Sequence, residues 1–123
     1  MRLWRPRADV FCTEATGYME FEHAVAYCDF GDEVWPAAPG LALGFHDWAG
    51  LTGYATDTRK MVTQWGMSVI LRYDAVHILH RSKLLSMGLA LASAVLPKDL
   101  RIHTERGEFD RLLHDTLVLQ ATG

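Results

Sequence analysis

Cysteine is scarce in this chain of 123 residues: there are two, Cys12 and Cys28, and no Cys-x-x-Cys pair. A secreted domain stapled by disulfides carries more, and two thiols this far apart do not make a zinc site. Both are expected to be reduced and buried. Basic charge is not in excess either. The net charge is −3, which argues against a general nucleic-acid binder. The one basic cluster is Arg2, Arg5 and Arg7, in a segment expected to be a solvated, mobile end. Long apolar runs are missing. The longest lies within residues 84–96, short of the roughly 20 residues that cross a bilayer, and the first twenty residues lack the apolar stretch of a signal peptide. The cytoplasm is therefore the default expectation, with no stable membrane insertion.

The motifs that announce chemistry are missing too. There is no GxxxxGK[ST] or GxGxxG phosphate loop, no GxSxG nucleophile elbow, and no HExxH, DxDxDG or Cys/His cluster. No cofactor and no metal are expected. Of the six histidines, His77 and His80 lie three apart on a predicted strand and should face opposite ways. His46 and Asp47 are placed at the C-terminal end of a predicted strand, where α/β domains put ligand sites. With His80 they form the one cluster that could be nominated for catalysis, and a structural role is the simpler reading. Ser82 follows a strand and opens a helix, which suits an N-cap better than a nucleophile.

What the chain does contain is the make-up of a globular domain, with half its residues apolar and 22% charged. Strand-like and helix-like segments alternate, the pattern of an α/β fold. Residues 9–13 read as a strand, 15–17 as a turn, and 18–21 as a short strand pairing back. A helix follows, with Phe21, Ala24, Val25 and Cys28 at helical spacing and Gly31 and Pro36 ending it. Residues 41–45 read as a buried strand, 50–55 as a loop, and 56–71 as a helix carrying Met61, Val62, Trp65 and Val69. A strand at 75–80, a helix at 82–96, a strand at 100–104 and a helix at 105–118 complete the order β, β, α, β, α, β, α, β, α. The later strands, separated by helices, should be parallel. Residues 1–8 read as an N-terminal segment, 9–118 as one domain and 119–123 as a tail.

Two segments stand out. In 45–58 a buried strand leads through Gly50 and Gly53 to Thr56, which opens a helix, with Thr58 two residues on. A helix N-terminus welcomes an anion or a phosphorylated hydroxyl, so Thr56 and Thr58 are a candidate phosphorylation or anion site. The plain alternative makes Thr56 an N-cap. In 82–96, Leu84, Met87, Leu91 and Val95, with Gly88 between them, leave almost no polar face. This marks either a partner or dimer interface or a helix sandwiched within the domain.

The 45–58 segment resembles the phosphorylation-loop region of STAS domains, the fold of anti-sigma-factor antagonists, and more closely their divergent bacterial SpoIIAA-like relatives. Asp47, Gly50 and Leu51 match the family's aspartate, small-residue turn and apolar residue, and Thr56 falls at the phosphorylatable serine. Ala55 stands where an acidic residue is expected. Residues 76–90 and 100–110 resemble the later strand–helix units of the divergent relatives. The resemblance implies a single-domain α/β, STAS-like fold with a mixed four- or five-stranded sheet and helices mainly on one face. It also implies a non-catalytic role in regulation or signalling, docking a protein partner or forming a homodimer through the 82–96 helix and the loop ending at Thr56. A small-ligand or lipid-binding module, its pocket lined by Trp4, Trp35, Trp48 and Trp65, is the alternative.

Overall fold

The computed structural model describes residues 1–81 and 99–122. Their elements are β1 (Arg2–Arg7), β2 (Val10–Met19), α1 (Phe21–Ala37), β3 (Ala42–Tyr54), α2 (Thr56–Val69) with a 3-10 turn at Ile70–Arg72, β4 (Tyr73–Leu79), β5 (Asp99–His103) and α3 (Arg106–Thr122). The strands form one mixed sheet in the order β1-β2-β3-β4-β5. Strands β2 to β5 are parallel, and β1 pairs antiparallel to β2 at the edge.

The antiparallel edge strand is not the one the sequence pointed to. Residues 18–21 do not fold back, because β2 runs unbroken through Gly17 to Met19. Gly17 adopts φ +72, a conformation open to glycine, so the chain kinks there without turning. The edge strand is instead Arg2–Arg7, in the segment expected to be a mobile end. It stays because Leu3 and Trp4 pack against opposite faces of the sheet. Arg2 lies over the Trp4 ring at 4.3 Å, and Arg7 binds both Asp9 and the Thr116 carbonyl. Arginines and Pro6 on an edge strand also discourage pairing with other chains.

Helix α1 begins in a capping box: the Glu20 side chain accepts the His23 N–H, and His23 Nδ1 accepts the Glu20 N–H at 3.0 Å. It buries Ala24, Tyr27, Cys28, Gly31 and Val34. Gly31 does not end the helix. It is the point where the Trp65 ring of α2 crosses α1, and a Cβ there would lie 2.3 Å from that ring. Trp65 Nε1 then donates to Asp32 Oδ1 at 2.8 Å.

Two apolar clusters lie on opposite faces of the sheet. Helices α1 and α2 cover the larger, built around Phe11, Tyr27, Trp48, Tyr73 and Ile78. The smaller contains Val10, Cys12, Phe45 and Leu79 under Phe109 of α3. Full burial of Phe11 or Phe45 contributes about 1.5–3 kcal/mol each. The two cysteines are free and buried.

Strand β3 continues through the stretch expected to be a loop. Glu14 pairs with Asp47, Thr16 with Gly50 and Tyr18 with Gly53. Two residues on β2 are thus twice matched by three on β3, so β3 carries two bulges. Each bulge inverts the alternation of side chains. Leu51 and Tyr54 therefore pack on the same apolar cluster as Trp48. Beyond Asp47, β3 pairs with β2 alone, since β4 ends opposite that residue.

Candidate functional site

His46 and Asp47 sit mid-strand in β3, not at its C-terminal end, and adjacent strand residues face opposite sides. His46 and Asp47 therefore do not come together in the cluster nominated with His80. His46 points toward α1, where Thr13 Oγ1 lies 2.9 Å from Nδ1 and Tyr27 OH lies 3.2 Å from Nε2. Trp48 Nε1 donates to Thr13 Oγ1 at 3.2 Å. Burial, then the nearby His77, lowers the His46 pKa to about 3, so the ring is neutral and carries one N–H. The four groups hold four polar hydrogens and share three bonds. One hydroxyl hydrogen, from Thr13 or Tyr27 according to the tautomer, is left over.

A hydroxyl beside an imidazole nitrogen has the spacing of a nucleophile and its base. Thr13 is fully buried, however, and His46 nearly so. The network joins β2, β3 and α1 through buried polar contacts. Burial pushes the thiols of Cys12 and Cys28 up to about 12, which leaves both protonated and poorly nucleophilic.

Asp47 points toward α3. Arg106, the first residue of that helix, grips its carboxylate through two nitrogens at 2.8 and 3.2 Å, and the Ala49 N–H donates to it at 3.2 Å. This hydrogen bond to Asp47 is the main cause raising the Arg106 pKa. On the same face His77 Nδ1 lies 3.0 Å from His103 Nε2, with Phe45 stacked on His77. The sequence pointed to neither the His77–His103 pair nor the Thr13–Tyr27–His46 network, because each joins elements remote in the chain. Among the described residues no group of three or more His, Cys, Asp or Glu side chains is arranged to hold a metal ion.

Thr56 is exposed and is the first residue of α2. The N-cap is Ala55, one residue earlier than expected, and it has no side-chain acceptor to offer. The Asp57 carboxylate accepts the Thr58 N–H at 2.9 Å. Thr58 itself is turned inward and only 1% exposed. The Ala55 N–H donates to the Met19 carbonyl at 3.2 Å, which brings Tyr18 and Phe21, 51% and 44% exposed, to the same end of the sheet as Thr56. Ser82, Leu84, Met87, Gly88, Leu91 and Val95 lie outside the described residues. The four tryptophans do not line one pocket: Trp35, Trp48 and Trp65 belong to the larger cluster and Trp4 to the other face.

Strand order, parallel register and helix placement match a SpoIIAA-like fold. The similarity is with a solved structure, a protein of the DUF3478 family with a SpoIIAA-like fold from Shewanella loihica PV-4. The two superpose with a TM-score of 0.68 over 91% of this chain and 90% of that one, at 14% sequence identity. No family model and no curated protein matches the sequence. Among the described residues no helix is long and apolar enough to cross a membrane.

Proposed function

We propose that this chain is a non-catalytic regulatory or interaction module that docks a protein partner, or a second copy of itself, at the end of the sheet where β3 meets α2. The observation that carries this reading is the start of α2. An exposed hydroxyl on Thr56 stands at the positive end of a helix whose N-cap, Ala55, contributes no side-chain bond. The exposed rings of Tyr18 and Phe21 share that end, and aromatic residues at a polar rim are what interfaces favour. Thr13, Tyr27, His46 and Trp48 are buried and bonded to one another instead. A phosphate added to Thr56 would bring about two negative charges to this surface and so alter docking.

The test is affinity purification of the tagged protein from its own cells, followed by partner identification and mass measurement of the Thr56 peptide. Thr56→Glu and Tyr18→Ser are run beside the wild type. A partner, or a second copy, whose recovery falls by about tenfold or more in either variant supports the reading. Equal recovery in all three, with an unmodified Thr56, removes this surface from consideration.

A second reading, a small-ligand or lipid-binding module, is favoured by a separate observation. Trp35 Nε1, Tyr73 OH and Thr58 Oγ1 are buried with no hydrogen-bond partner among the described residues, and an unsatisfied buried donor calls for a water or a ligand. Native mass spectrometry of gently purified protein decides it: a co-purifying mass supports the reading, and a bare chain counts against it.

A further inference from the structure

We draw no further inference here: the strongest candidate, the edge of β3 beyond Asp47 with the Tyr18 ring above Gly53, is broken by two bulges, and nothing among the described residues shows what covers it.

Discussion

Acid should destabilise this domain through His46. The folded-state pKa of that ring is lowered from 6.5 to about 3, so between these values the unfolded chain binds a proton that the folded chain refuses. Stability is full above the unfolded value and falls as pH drops below it. At about pH 5 the unfolded imidazole is protonated by about 30 to 1 while the folded ring remains neutral, which removes about 2 kcal/mol. The loss at that pH depends almost wholly on the unfolded side, because the folded ring is still far above its own titration. The assay is urea unfolding at about pH 7.5 and about pH 5, on the wild type and on His46→Gln. The glutamine keeps polar atoms near Thr13 and Tyr27 but does not titrate. The wild type should lose about 2 kcal/mol more than the variant over this interval. Equal losses would refute the reasoning, since the other histidines are common to both proteins.

Three further outcomes follow from particular contacts. Gly31→Ala should cost about 1–3 kcal/mol by overpacking against Trp65, read as a lower urea midpoint, and much of the loss should vanish in a Trp65→Leu background. Gly17→Ala meets no atom within 4 Å but must hold φ +72, so thermal melts should show a loss of about 1–2 kcal/mol, with Gly17→Asn milder. Arg106→Met strands the Asp47 carboxylate. With the arginine half exposed, the cost should be about 1–2 kcal/mol. Hydrogen exchange should show it as lost protection in α3 with the β2–β3 amides unchanged.

The sequence made some of this legible. Helix α2 begins at the expected Thr56, and α1, β4, β5 and α3 appear near their expected places, because apolar spacing and Gly/Pro punctuation both marked them. Other parts were hidden for physical reasons. Arg2–Arg7 reads as a polar tail because an edge strand has one bonded side and two half-open faces, so only Leu3 and Trp4 carry an apolar signal. The end of β3 reads as a loop because Trp48, Leu51 and Tyr54 share a face at a spacing of three, which simple alternation forbids. Gly31 reads as a stop because its role, room for Trp65, is a tertiary fact. Of the candidate site, Thr56 was visible as a helix start. The inward turn of Thr58 and the division of His46 from Asp47 by the sheet became plain only when both faces were occupied.

The two bulges in β3 make the last rungs of the sheet a matter of counting. From Trp48 onward, which side of the sheet a residue sees is set by how many residues precede it, not by whether it is greasy or polar. A relative lacking one residue here would present its Tyr54 equivalent to the opposite face of the sheet and carry the hydroxyl of its Thr56 equivalent to a different bearing around α2. When sequences of this fold are compared, a one-residue gap in this ribbon therefore records a change of surface, not a change of length.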